Sequence, residues 1–293
     1  MRGGDEELAA VKIEEGKPLA DSGEQAVRKA VASRVEADPE GYLSEHQRRF
    51  GNLLNADDAA TLFPEYNVDP ATYRAAVHPA AQWIRDERFR RALAADSPDA
   101  DRVIFTAGGN AAGKSTAISF SGAGENSAAA ILDSTFSNRK HAGSLIEQAK
   151  RAGKRISILY VNRPLDGALA AMLDRAVTEG RLVTLDQLIN SQRGAAETIC
   201  HLWTKFADDA DFTFHFFDNA PQGFREGSID LAKPAPYTET RKALDEILDA
   251  EYRAGRIPEA VYRRVKGAEP QVREDRGGPD CERDESPAGT KES

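Results

Sequence analysis

From Gln25 to Ala95 the apolar residues return every three or four positions, the period of a helix with one buried face. That period predicts helices over Gln25–Glu36, Leu43–Asn52 and Pro70–Ala76. Another is expected from Pro79, a favourable first-turn residue, to about Ala95. Leu53 and Leu54 interrupt the helical rhythm as a short apolar step and read as a buried strand. At Arg102 the pattern changes. Arg102–Ala107 (RVIFTA), Ala128–Leu132, Arg155–Val161 and Phe212–Phe217 are short apolar runs, and helical stretches separate the later ones. Such alternation predicts an α/β fold, a parallel sheet flanked by helices on both faces, with helical additions at its N- and C-terminal sides. After Tyr237 a helical hairpin is expected: Thr238 can cap a helix carrying Leu244, Ile247 and Leu248, and Pro258 opens another.

The two ends lack this periodicity. Residues 1–24 and 269–293 are acidic, rich in Gly and Pro, and too poor in apolar groups to repay ordering, so both read as disordered tails. Of the chain's formal charge of −9, nearly all belongs to these ends, which leaves the body close to neutral. The domain reading is therefore an N-terminal tail (1–24), a helical segment (25–101), a sheet-and-helix core (102–220), a C-terminal helical hairpin (221–268) and a second tail (269–293).

Composition narrows the function classes. With 40% hydrophobic residues the body can build a core, and no apolar run is long enough to span a membrane. The acidic opening is unlike a secretory signal, and a cytoplasmic location is expected. Two cysteines, Cys200 and Cys281, do not make a disulfide framework or a zinc site. A neutral body opposes a broad nucleic-acid footprint.

The chemistry concentrates after the first core strand. Gly108-Gly109-Asn110-Ala111-Ala112-Gly113-Lys114-Ser115, followed by Thr116, matches G-x-x-x-x-G-K-[ST] between a predicted strand and a predicted helix. Glycines let backbone N–H groups turn inward around phosphate oxygens. The helix N-terminus adds positive potential, Lys114 reaches the outer phosphates, and Ser115 can ligate Mg²⁺. Binding of a nucleoside triphosphate, ATP with Mg²⁺, is the expectation.

Ligands of such sheets sit beyond the carboxyl ends of the strands, which selects the next candidates. Asp133 ends the AAIL strand and can support the metal, through water, or contact the acceptor; the competing reading is a helix cap. Asp218 and Asn219 end the last strand, where they could touch the base or merely form a turn with Ala220 and Pro221. Between the third and fourth core strands, LDRAVTEGRLVTLDQLINSQRG has the marks of a lid. Arg175 and Arg181 are candidates to close over a triphosphate, Arg193 reads as a surface ion pair, and Thr184 with Gln187 forms a capping box. Arg85, Arg88, Arg90 and Arg91 share a helix with Asp86 and Glu87, the composition of a solvated charged face. None of the five histidines is placed as a metal pair.

Taken together, GGNAAGKS, the step Asp133-Ser134-Thr135 and the pair Arg175 and Arg181 resemble the zeta toxin family of P-loop kinases in the expected order. The resemblance implies transfer of the ATP γ-phosphoryl to a hydroxyl of a nucleotide sugar or similar acceptor. It also implies a toxin, with an antitoxin protein as a possible partner. The family's acceptor motif, an apolar strand running into I-D-x-D and then H-P-x-Y, normally follows the phosphate loop. Too few residues separate Ser115 from Ile131 to hold it. Before the loop, however, Leu54-Asn55-Ala56-Asp57 resembles the strand end and Phe63-Pro64-Glu65-Tyr66 the later step, with Phe63 in place of His. The implied arrangement is a circular permutation, with Asp57 as the base for the acceptor hydroxyl; without the resemblance, Asn55, Asp57 and Asp58 read as helix caps. Phe63, Ala60 and Asn190 depart from the family pattern and leave the acceptor open. A polynucleotide kinase and an ATP-binding switch or scaffold are the competing expectations.

Overall fold

In the computed structural model, residues 11–14, 16, 18–95, 101–121 and 128–267 are described. Six strands, β1 (Leu53–Leu54), β2 (Arg102–Ala107), β3 (Ala130–Leu132), β4 (Arg155–Asn162), β5 (Phe212–Ala220) and β6 (Gly223–Glu226), form one sheet in the order β1-β3-β2-β4-β5-β6. The first five run parallel, and β6 returns antiparallel beside β5. The sheet is therefore mixed rather than wholly parallel. β5 outruns its predicted end because Asp218, Asn219 and Ala220 pair with Arg225, Phe224 and Gly223, so the turn falls after Ala220.

The central strands are mostly apolar, with Thr106 and Ser157 as buried exceptions, because both faces are covered. Val103, Phe105, Ile156, Ile158 and Tyr160 face a core shared with α7 (Arg139–Arg151) and α9 (Leu185–Phe206). Ile104, Ile131, Leu159, Val161 and Phe217 face the opposite side, toward α6 (Lys114–Phe120). A third cluster joins α8 (Leu165–Glu179) and α9 to the predicted hairpin, which is α10 (Tyr237–Arg253) and α11 (Glu259–Lys266). The residue flanking α10 is Pro236, so Thr238 lies within the helix instead of capping it.

The N-terminal helices α1 (Ser22–Ala37), α2 (Pro39–Phe50), α3 (Ala56–Ala60), α4 (Pro64–Val68) and α5 (Pro70–Ala94) have their own core around Val31, Val35, Phe63, Val77 and Ile84. Ile13 belongs to this core, with its N–H donating to Glu36 Oε1 at 2.8 Å. Together with the start of α1 at Ser22, this corrects the reading of 1–24 as disordered for the part that is described. Residues 1–10, 15, 17 and 269–293, which carry the rest of the two predicted tails, lie outside the described residues.

Two other expectations change. Pro79 does not open a helix; it lies inside the 25-residue α5. A proline there removes the N–H that would bond the carbonyl of Ala75, and Arg28 supplies the missing donor, its Nη2 lying 2.8 Å from that oxygen. The arginines of α5 are also less exposed than a solvated face requires. Arg85 and Arg88 are both buried, and Arg88 donates to Gln47 Oε1 and to the Gly51 carbonyl at 3.0 Å. Arg90 and Arg91 do pair outward, with Glu87 and Glu40. Cys200, buried in the main core, is half of a disulfide; the chain's other cysteine, Cys281, lies outside the described residues. No helix among the described residues is long and apolar enough to cross a membrane.

Candidate nucleotide and acceptor site

The phosphate loop leaves the end of β2 and enters α6 as the sequence predicts. Gly108 takes φ +136°, and a Cβ there would lie 2.4 Å from the Val161 carbonyl oxygen, so only glycine fits. Gly113 takes φ +97° with the Asn219 amide packed where a Cβ would be, at 2.4 Å. Lys114 Nζ lies 3.5 Å from the Gly109 carbonyl and 4.0 Å from Asp133 Oδ1, which holds its ammonium over the loop. Ser115 and Thr116 follow on the exposed first turn of α6.

Several residues build the loop from behind, and of these the sequence singled out only Asn219. Asn110 N–H donates to Ser191 Oγ at 3.0 Å, and Arg163 Nη1 donates to the Ala111 carbonyl at 3.1 Å. Gln192 packs against Gly109, where a Cβ would meet its Oε1 at 2.2 Å. Asn219 Nδ2 donates to the Ala112 carbonyl at 2.8 Å, so this residue braces the loop. Asp218 is buried and ion-paired to Arg225 at 2.9 Å, part of the hairpin and not a free ligand at the strand end. For Arg163 the available signal was its position one residue beyond the carboxyl end of β4.

Asp133 sits at the carboxyl end of β3, but both of its oxygens are engaged. Oδ1 accepts from Thr106 Oγ1 at 2.7 Å and Oδ2 from Asn55 Nδ2 at 2.8 Å. It does not cap α7; Asn138 does, accepting from the His141 N–H at 3.1 Å. The bond from Asn55 ties the segment before the loop to the strand after it. Pairing of Leu53 and Leu54 with Ile131 and Leu132 makes the same tie through the backbone.

That tie brings the segment Asn55–Tyr66 to the phosphate loop. Asn55 caps α3, accepting from the Asp57 N–H at 2.7 Å, which confirms the capping reading for Asn55 and leaves the Asp57 carboxylate free to point elsewhere. Asp57 Oδ1 takes Arg74 Nη2 at 3.2 Å, and Oδ2 takes Arg181 Nη2 at 2.5 Å. Burial pushes the Asp57 carboxyl up, but Arg74 and Arg181 outweigh it and hold it below the ordinary carboxylate value. Next to it, burial pushes Asp58 up to about 6, and the Asp133 charge adds to this.

The lid divides. Arg181 stands in the connection between α8 and α9, just after Gly180 (φ +68°) and before the capping box of Thr184 and Gln187, which forms as predicted. Arg175, on α8, pairs with Glu179 at 3.4 Å, and Arg193 lies 3.9 Å from Glu197. Asp57, Arg74, Arg175 and Arg181 line one cavity with Asn110 and Ala111 of the phosphate loop. Its volume is about 60 Å³, below the roughly 300–1,000 Å³ of ligand pockets, and ion pairs occupy its wall. A larger cavity, about 570 Å³, lies between α2 and α5 beside Asn52 and Ala129. Those residues mark the amino ends of β1 and β3, the wrong end of the sheet for the phosphate loop.

Residues 119–219 match the model of the zeta toxin family. No curated protein sequence matches the chain significantly. Among solved structures, AvrRxo1-ORF1:-ORF2 with ATP is similar, at 13% identity and a TM-score of 0.44, over 69% of this chain and 91% of that one. The AvrRxo1-ORF1:AvrRxo1-ORF2 complex with sulphate ions gives 14% identity and a TM-score of 0.42, over 69% and 89%. The chain thus resembles the zeta toxin family of P-loop kinases, and the sequence match runs from the last turn of α6 to Asn219 in β5, so that it leaves out the phosphate loop and the segment Asn55–Tyr66.

Proposed function

We propose that this chain is an ATP-dependent phosphotransferase of the zeta toxin type, which moves the γ-phosphoryl of ATP to a hydroxyl of a small nucleotide-sugar or other nucleotide-like acceptor. One observation carries this reading: Asp57, Arg175 and Arg181 line one cavity with Asn110 and Ala111 of the phosphate loop, and Arg181 reaches the Asp57 carboxylate. A loop alone supports nucleotide binding; a carboxylate with arginines beside it supports transfer to an acceptor.

The roles follow from charge. Lys114 and the N–H groups at the start of α6 hold the outer phosphates, and Arg175 with Arg181 takes up charge on the transferring phosphoryl group. Asp57 accepts a hydrogen bond from the acceptor hydroxyl and orients it in line. Its low proton affinity suits a loose transition state, in which the hydroxyl proton leaves late. Mg²⁺ bound with the nucleotide would neutralise phosphate charge, and the donors fit it: Ser115 is exposed on the first turn of α6, and Asp133, with both oxygens engaged, would hold the ion through water. The family's acceptor motif is then permuted to precede the loop, delivered by β1 and α3. As a zeta-toxin-like kinase the protein would act as a toxin, restrained by an antitoxin protein.

The test is a small-molecule extract incubated with the protein and ATP, followed by mass spectrometry for a new phosphorylated species. Lys114→Ala is expected to abolish its formation, and Asp57→Ala to reduce it by at least a hundredfold. Product formation that survives Asp57→Ala unchanged would remove Asp57 from the mechanism.

A further inference from the structure

Arg74 belongs to none of the motifs that point to a kinase. It sits on α5, one residue before the carbonyl that Arg28 serves, and its guanidinium reaches out to Asp57. The carboxylate of Asp57 is therefore divided between two arginines, one oxygen each. The two differ in how they are held. Arg74 projects from the first half of a 25-residue helix that packs against α1, α2, α3 and α4. Arg181 projects from a short connection that follows a left-handed glycine, and it has Asn110 and Ala111 of the phosphate loop as neighbours on the cavity wall.

We propose that Arg74 is the standing partner of Asp57 and Arg181 an exchangeable one, so that an arriving triphosphate draws Arg181 off and uncovers one oxygen of the base. Resting on the kinase reading above, this adds a latch to it. Each oxygen of Asp57 accepts from one arginine, on the wall of a cavity of about 60 Å³. With nucleotide, the phosphate oxygens compete for Arg181 and win on charge, since a triphosphate carries several negative charges against one on the carboxylate. Arg74 keeps Oδ1 and with it the direction of the carboxylate, and Oδ2 is presented to the acceptor hydroxyl. The order of binding follows: nucleotide first, acceptor second. Arg74 acts here as a positioning residue, and no bond of the reaction is made to it.

Linkage makes the latch measurable with nucleotide alone, because any state in which Arg181 is held by Asp57 competes with ATP binding. Titration calorimetry with a non-hydrolysable ATP analogue and Mg²⁺, on the full chain, gives the readings. Asp57→Asn is expected to tighten binding by about threefold to tenfold, the range for ion pairs from exposed to half-buried. Arg74→Gln leaves Asp57 to Arg181 alone and is expected to weaken binding by a similar factor, with Arg74→Lys restoring most of it. On the Asp57→Asn background, Arg74→Gln is expected to change affinity less than about twofold, since the latch is already gone. An equal effect of Arg74→Gln in both backgrounds, or no tightening by Asp57→Asn, overturns the latch while the kinase reading stands. Binding that Lys114→Ala leaves unchanged overturns the kinase reading and the latch with it. Melting temperatures of each variant separate loss of fold from loss of coupling.

Discussion

Replacing Arg28 with Met tests whether α5 depends on a side chain from another helix to close a gap in its own hydrogen bonding. Arg28 is buried, and its Nη2 donates to the Ala75 carbonyl at 2.8 Å, the acceptor that Pro79 leaves unserved. A charge-assisted hydrogen bond of this kind is worth about 1.5–3 kcal/mol. Met keeps the apolar stem of Arg28, which confines the loss to the polar end. The side chain of Ala75 is exposed, so water reaches part of the vacated carbonyl and favours the lower half of that range. At about 2–4 °C per kcal/mol for a chain of this size, the melting temperature should fall by roughly 3–9 °C. The decisive variant is Pro79→Ala, which returns an N–H to the helix and gives Ala75 its ordinary partner. In that background Arg28→Met should cost about 1 kcal/mol less, a coupling visible in urea midpoints measured on all four proteins. Equal costs in the two backgrounds would refute the assignment and place the value of Arg28 in its other contacts. Because Ala75 adjoins Arg74, affinity for ATP analogue measured on the same set shows whether the repair also steers the partner of Asp57.

Two further outcomes are expected. Gly108→Ala would place a methyl 2.4 Å from the Val161 carbonyl at a φ of +136°, and should lower stability by about 2–4 kcal/mol in thermal unfolding and abolish nucleotide binding by calorimetry; an active, stable Gly108→Ala would show that the loop geometry is wrong. Burial pushes the His46 imidazole down to about 4 from an ordinary 6.5, and the charge of Arg88 adds to this. His46 is neutral in the fold, so its contribution is complete above pH 6.5 and is lost as pH falls toward 4, where the unfolded chain takes the proton first. Urea midpoints at pH 7 and pH 4.5 should differ less in His46→Leu than in the parent, and an unchanged difference would exclude His46 as a source of acid sensitivity.

What the sequence makes legible follows physical rules of different strength. The strands after Arg102 could be read because the central ones are covered on both faces and carry runs of apolar residues. The edge strand β6 could not: three of its four residues are exposed, and its pairing rests on backbone bonds and on Arg225 meeting Asp218. Pro79 misled because the first-turn preference of proline is local, whereas the donor that tolerates it inside α5 comes from α1, far away in the chain. Within the site, the loop announces itself because phosphate binding dictates residue types at fixed spacing. Asp57 was legible only through resemblance, since Asn-Ala-Asp-Asp is equally good capping chemistry, and the structure has Asn55 do the capping and Asp57 face the arginines. Arg74, Ser191 and Gln192 carried no signal, and Arg163 only its place just beyond β4. Each acts across the fold on a loop or carboxylate, and nothing in its own neighbourhood in sequence records that.

The position of β1 at the sheet edge bears on how this protein is made. Asp57 and Arg181, which meet in the site, stand 124 residues apart in the chain, and Asn55 and Asp133 stand 78 apart. A chain growing from its N-terminus completes α1 to α5, with their own core, before any of the phosphate loop exists. During that interval β1 has no neighbour to pair with, because β3 has yet to be synthesised. The carboxylate half of the site is thus delivered early and incomplete, and the nucleotide half closes onto it last. A nascent or truncated chain that stops short of the lid holds Asp57 with Arg74 but without Arg181 and without a complete nucleotide-binding core, so chemistry is withheld until most of the sheet has been assembled.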